Sequence, residues 1–439
     1  MTVQHPLRVL SSLTVLLSLT LVGCDDGTMS PMSDSGPMTD GGAVEPHTGD
    51  LTMGRLLVAD HAGANAWLYD LDGEEPALLE TYSLDAPGRA YADLHGRYAY
   101  LVQRDANRVQ VLESGILFES HVDHYHISER APAMLDLALT GSGPTHFVPH
   151  GGWVASFYDG SGDVDVLQER TISAGMPTVQ TVSTGPAHHG VAVVASGHVL
   201  ATIGTEGEAL PSEVGIWRVG ELDGAAVATA GPCPGLHGEG ASEGVVAFGC
   251  TDGVLLLQYD EDHFDPVKID NPSGTAEGTR VGTLVGHEEL PVLIGNWGSE
   301  GLAIVDPVAQ SITPVLTSAP VVSFALDMHG EHLFALTADG MLHRLVPTDG
   351  SANGEPMQVT EEIDLMGGHG AARPALTPGA GRMYLALPES GEVVELHAER
   401  WEVERRIAIA GVPHSLAVVS ASPDWHEDGN EHDDHDDHD

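Results

Sequence analysis

Between residues 55 and 419 one pattern recurs: a short apolar strand, a turn with Gly, a second strand, a turn with Asp or Gly, and a further strand. It is plain in RAYADLHGRYAYLVQRDANRVQVLES from Arg89, in THFVPHGGWVASFYDGSGDVDVLQE from Thr145, and in RPALTPGAGRMYLALPESGEVVELHAE from Arg373. Innermost strands are expected near Arg89, Thr145, His188, Leu236, Arg280, Val322, Arg373 and Pro413, at spacings of 56, 43, 48, 44, 42, 51 and 40 residues. Units of that length built from short antiparallel strands are the blades of a propeller. The last start has one strand left to run, whereas RLLVADHAGANAWLYDLDG at the other end has strands but no innermost one. Joining the two completes a blade. The expected fold is therefore all-β, a β-propeller of eight blades with seven as the alternative count, in which N- and C-terminal strands close one blade.

The flanks differ in kind. The chain begins MTVQHPLR, with Arg8 flanking an apolar run over residues 9–22 that leads into Leu21-Val22-Gly23-Cys24. About 14 residues cannot cross roughly 30 Å of hydrocarbon, so this reads as a secretory signal rather than a span. The LVGC run resembles a bacterial lipobox, which makes residues 1–23 a lipoprotein signal peptide and Cys24 the lipidated anchor. The protein is then expected to be membrane-tethered in the periplasm or at the cell surface. Residues 24–52, poor in large apolar groups and rich in Gly, Pro, Ser and Asp, form a flexible linker. The propeller takes residues 53–422. Residues 423–439 form an acidic tail carrying His426, His432, His435 and His438, a self-repelling segment expected to be disordered and to collect metal weakly.

Charge narrows the partners. Against 65 acidic residues stand 17 basic ones, with Lys268 the single lysine, for a formal charge of −48. Such a surface repels nucleic acid and concentrates cations. Once Cys24 is assigned to lipid, Cys233 and Cys250 remain. In an oxidising compartment they most simply form a disulfide, with a thiolate metal site as the other reading. Met29, Met32 and Met38 in the linker are soft ligands of the kind that suit copper(I), though an ordinary linker explains them too.

Histidine is the residue whose placement points to chemistry. If the chain enters each innermost strand from one face, the segments just before those strands converge on the axis at that face. His146 in GPTHFV, His188 and His189 in GPAHHGVAV, His237 in CPGLHGEG and His414 in GVPHSLAV occupy such positions. His61, in a turn between second and third strands, reaches the same face. Zinc takes three or four N, O or S ligands at about 2.0–2.3 Å, and blades around an axis can bring them together from distant sequence. A second group, His121, Asp123, His124 and His126 in HVDHYH, sits in an insertion over residues 116–132 between the third and fourth strands of the first full blade. Topology places that insertion on the opposite face, beside His95 and His150. Neutral imidazole with carboxylate oxygen, and no free thiolate, suits Zn2+.

HVDHYH, GPTHFVPHGGWVASFYDG, PAHHGVAV, CPGLHGEGASEGVVAFGC, GNWGSEGLAIVDP and VPHSLAVV, in that order, resemble the periplasmic zinc metallochaperones of the AztD type. The resemblance spans residues 55–419. It implies a β-propeller that binds zinc at more than one site and hands it to the zinc-specific solute-binding protein of an ABC transporter, and it supports the Cys233–Cys250 disulfide. The lipobox and the C-terminal position of the His-rich run depart from a soluble family form. Two other functions stand beside this one. A lactonase-like propeller hydrolase would recruit Asp93, Asn296, Glu300 and Asp327 around calcium, but no GxSxG nucleophile motif accompanies them. A metal-independent interaction scaffold would need no tight zinc at all.

Overall fold

The computed structural model describes residues 54–92, 96–120, 125–260, 263–316, 319–347, 357–364 and 372–420. Among them, eight four-stranded antiparallel sheets follow one another along the chain, each ordered from an innermost first strand to an outer fourth. In the closing sheet the order is Ala77–Ser83, Asn65–Asp70, Arg55–Asp60, Pro413–Val419, so the C-terminal strand is innermost and pairs Val419 with Arg55 and Ala417 with Leu57. The fold is an eight-bladed β-propeller with that blade, here blade 8, shared between the two ends. Blade 1 begins at Arg89–Ala92, blade 2 at Pro144–His150, blade 3 at Ala192–Ala195, blade 4 at Glu239–Ser242, blade 5 at Leu284–Val285, blade 6 at Val321–Leu326 and blade 7 at Ala375–Gly379.

The burial pattern explains why the strands read as continuous apolar runs. Tyr98–Gln103 and Val245–Cys250 are buried at every position, because the sheets stack face to face around the axis and each middle strand is covered on both sides. Leu56 and Val58 of blade 8 thus share a cluster with Tyr384, Ala386 and Val393 of blade 7, and Tyr98, Tyr100 and Val109 of blade 1 pack on Phe147, Val154 and Leu167 of blade 2. Outermost strands face water on one side: Ala77–Ser83 has no fully buried residue. At the seam, Gly96 has φ +66°, and a Cβ there would lie 1.6 Å from the carbonyl oxygen of Ser420, so only glycine lets blade 1 approach the end of the closing strand.

Innermost strands all run from one face, called upper here, to the other. Turns between first and second strands, and between third and fourth, are therefore on the lower face. The insertion in blade 1 forms a hairpin there, Ile116–Ser120 paired with Tyr125–Glu129, between Arg108–Glu113 and Ala133–Thr140. Its base is held by Arg55 of blade 8, 5% exposed, whose guanidinium donates to the carbonyls of Ser114 and of Arg130 (3.0 Å) and faces Glu129 at 3.5 Å.

Between blades 1 and 2 the short helix Glu169–Ser173 buries a carboxyl that the sequence pattern does not announce. Glu169 is 4% exposed and accepts a hydrogen bond from the Tyr100 hydroxyl at 2.7 Å. Burial raises its pKa to about 7 despite that bond. An acid whose folded pKa lies above its unfolded value stabilises the fold fully below the unfolded pKa, and this contribution is lost as pH rises through the folded one. Glu169→Gln should therefore gain on the parent between pH 4.5 and 7, the two pKa values, by on the order of 3 kcal/mol. Urea unfolding across that range checks this; parallel pH profiles for the two proteins would refute it.

Candidate metal centre

Four of the expected innermost strands begin two to four residues later than the sequence pattern places them, at Ala192, Glu239, Leu284 and Ala375. The Pro- and Gly-rich approaches GPAHHG and CPGLHG form entry turns instead, so His189 and His237 sit on connections at the upper mouth. His146 lies within its strand, where the register shifts between Pro144 and Phe147. Such a bulge re-aims the side chain it contains.

These three histidines, from blades 2, 3 and 4, converge. Ring centroids are 5.1 Å apart for His146 and His189, 5.6 Å for His146 and His237, and 5.0 Å for His189 and His237. One ligand atom from each lies within 4.8 Å of the other two. A tetrahedral zinc with bonds of 2.0–2.1 Å needs nitrogens about 3.3 Å apart, so small ring movements close the set.

What surrounds the rings selects the atom each would use. His189 Nδ1 donates to Asp159 Oδ2 at 2.9 Å, and Arg104 Nη1 holds the same oxygen at 2.9 Å. His237 Nδ1 donates to the Gly282 carbonyl at 2.7 Å. His146 Nδ1 faces Glu239 Oε2 at 3.4 Å. With Nδ1 of His189 and of His237 hydrogen-bonded and that of His146 turned to a carboxylate, Nε2 is the atom each ring would offer a metal, the arrangement that orients zinc-bound histidines. The Gly282 carbonyl is itself fixed, since Asn296 Oδ1 accepts from the backbone N–H of Gly282 and Thr283 at 2.8 and 2.7 Å.

The electrostatics favour the neutral ligand form at His237 and oppose it at His146. Burial works to raise the Asp159 pKa, but the hydrogen bonds from His189 and Thr145 and the Arg104 charge hold it below its ordinary value. Burial lowers the His237 pKa, and the neighbouring His146 and His189 add to this, favouring the neutral ligand form. For His146 burial also acts downward, but the charge and hydrogen bond of Glu239 outweigh it and the pKa is raised.

The remaining candidates separate. His188, 5% exposed, points away from its neighbour: Nδ1 bonds the Pro186 carbonyl at 2.8 Å and Nε2 the Thr202 hydroxyl at 3.0 Å, which uses both ring nitrogens in the core. It is not part of the cluster. His61 and His414 meet each other in blade 8, centroids 5.0 Å apart. His150 lies at the lower end of its strand, with Nδ1 on the Val194 carbonyl at 2.8 Å. His126 belongs to the strand Tyr125–Glu129 of the lower hairpin. His95, His121, Asp123, His124, Cys24 and the tail histidines His426, His432, His435 and His438 lie outside the described residues, as does Asp93. Asn296 is tied to the upper turn at Gly282, whereas Asp327 accepts from His332 on the lower face, so those two do not share a site. Asp159 and Glu239 adjoin the cluster although the sequence pattern does not announce them. Both sit at upper-face positions, a turn between second and third strands and the start of an innermost strand, where the topological rule that found the histidines would also have found them.

Cys233 and Cys250 are joined in a disulfide, and both are fully buried. The bridge lies four residues before His237, whose backbone N–H bonds Gly249 O at 3.0 Å while Thr251 N–H bonds Pro234 O at 2.8 Å. The loop that presents His237 is thus pinned along the strand Val245–Cys250.

The class these features define is an eight-bladed β-propeller with a three-histidine centre at one mouth of its axial channel, a cavity of about 1890 Å³. The chain resembles the zinc chaperone AztD of Citrobacter koseri, to which it is 29% identical over 388 residues, 88% of this chain and 90% of that protein. The solved structure of apo AztD from the same organism superposes with a TM-score of 0.73 at 27% identity, over 84% of this chain and 98% of that one. A dihydro-heme d1 dehydrogenase, NirN, shares the fold alone, with a TM-score of 0.55 at 12% identity over 86% of this chain and 77% of its own. No protein-family model matches the chain.

Proposed function

We propose that this protein is a zinc carrier which takes up Zn2+ at His146, His189 and His237 and passes it to the solute-binding protein of a zinc ABC transporter. The observation that carries this reading is the set of three convergent imidazoles, two with Nδ1 hydrogen-bonded and the third with Nδ1 facing Glu239. Sequence similarity to a zinc chaperone over 88% of the chain supports it. Zinc is cargo here, and three nitrogen ligands suit cargo: they leave one of four tetrahedral positions open toward the channel, where an incoming ligand can bind before the old bonds break. The charge of −48 concentrates cations around the molecule. In the same proposal Cys24 carries a lipid, the protein is tethered in the periplasm or at the cell surface, and the tail histidines gather ions for the propeller.

Transfer separates a carrier from a passive binder. The zinc-loaded chain mixed with an apo zinc-specific solute-binding protein should lose its metal faster than it does to a small chelator of equal affinity, because the partner enters the open position. Equal rates, set by spontaneous dissociation, would refute direct transfer.

A further inference from the structure

Blade 8 brings a second pair of imidazoles to the same mouth. His61 follows the strand Arg55–Asp60 and His414 is the second residue of Pro413–Val419, so they come from opposite ends of the chain and meet only because the ring closes. Their centroids are 5.0 Å apart with the ring planes at 69°. His414 Nδ1 bonds the Ala59 carbonyl at 3.2 Å, which leaves Nε2 for another partner.

The two turns are locked to each other. His61 N–H donates to Val412 O at 2.8 Å, and Asp60 Oδ1 accepts from the N–H groups of Ala62 at 3.0 Å and Val412 at 3.2 Å. Asp60 is 6% exposed, and a Cβ at Gly63 or Gly411 would lie 2.6 or 2.9 Å from its Oδ2. A buried carboxylate solvated by backbone donors thus sits beside two imidazoles, a negative charge well placed to offset a dication. His61 and His414 line the same channel as His146, His189 and His237.

Blade 1 lies between blade 8 and blade 2, and its innermost strand opens on Arg89, which also lines the channel. A guanidinium charge on the blade between the two groups of imidazoles disfavours a metal midway and favours two separate wells. We propose that His61 and His414 form a second zinc station at this mouth, a two-imidazole site that holds the ion in transit between the three-histidine centre and the receiving protein. This rests on the carrier reading above. With two protein ligands the station binds more weakly than the centre and leaves more positions to a partner, as a hand-over point requires.

Zinc itself is the probe, on the full chain. Diethyl pyrocarbonate modifies free imidazole, and mass spectrometry locates it, so zinc protection can be read at each histidine. Protection of His61 and His414 is expected at a higher zinc concentration than protection of His146, and it should persist in His146→Ala/His189→Ala/His237→Ala. In His61→Ala/His414→Ala the tight zinc should stay, with several-fold slower release to a solute-binding protein. Protection at His146 without any at His61 and His414 would overturn the second station and leave the carrier reading intact. Protection at neither group would overturn both. The parent protein alone decides the first comparison, so a variant that fails to fold does not protect the proposal.

Discussion

His237→Ala should weaken the tightest zinc binding by at least about a hundredfold, because losing a single outer partner of a zinc ligand already costs 10–100-fold and here the ligand itself is removed. Competition with a chelator of known affinity measures this, with a thermal melt to show that the blade 4 entry turn is intact. An unchanged affinity in a folded variant would remove the three-histidine centre from the account. The outer partners give a graded test. Asp159→Asn and Glu239→Gln leave all three imidazoles in place but loosen the Nδ1 contacts of His189 at 2.9 Å and His146 at 3.4 Å, and each should cost about 10–100-fold.

The pH dependence separates Glu239 from a generic effect. Zinc competes with protons for neutral imidazole, so affinity falls as pH falls through the histidine range. The raised pKa of His146, set by Glu239 against the pull of burial, means that it takes up its proton above the ordinary 6.5, and the decline begins correspondingly early. Glu239→Gln removes the charge that stabilises that proton. The variant should therefore bind less tightly at high pH, yet begin its decline at a lower pH than the parent. Curves that simply shift downward in parallel would contradict this role.

Removing the disulfide is the second large effect. Cys233→Ala/Cys250→Ala opens a cross-link with a sequence separation of 17 and should destabilise the domain by about 3 kcal/mol on the chain-entropy account, with the truncated side chains adding to this. Both sulfurs lie in a core with Val191, Leu236 and Phe248, so the bridge is part of the packing between blades 3 and 4. Since it also pins the loop bearing His237, zinc affinity should fall even where the variant is fully folded. Urea unfolding and zinc competition on the same preparation check both. A loss below about 1 kcal/mol would mean that the surrounding packing holds the loop without the cross-link.

Propeller architecture was legible because it rests on repetition: eight similar units and a missing inner strand at one end, supplied at the other by Pro413–Val419. Side-chain direction was not legible in the same way. Strand periodicity assigns faces only inside strands, and His188 and His189 occupy an entry turn where no period applies. Adjacent in sequence and identical in chemistry, they go to different places: His188 to Pro186 and Thr202 in the core, His189 to the mouth. Glu239 and Asp159 escaped notice for a different reason. In a chain with 65 acidic residues a carboxylate is the least distinctive group, and an upper-face position singles out these two only alongside the imidazoles they approach. For His61 and His414 the shared face was legible from ring closure, but their direct contact was not, because it depends on where each turn aims its ring.

Zinc bound at the proposed centre would lie where blades 2, 3 and 4 meet the channel. Anomalous diffraction at the zinc absorption edge from crystals of the zinc-loaded protein tests it most directly. A peak is expected between Nε2 of His146, His189 and His237, at about 2.0–2.1 Å from each, with the Nδ1 contacts to Glu239, Asp159 and Gly282 retained. A fully loaded crystal with zinc elsewhere and no peak among these three rings would contradict it.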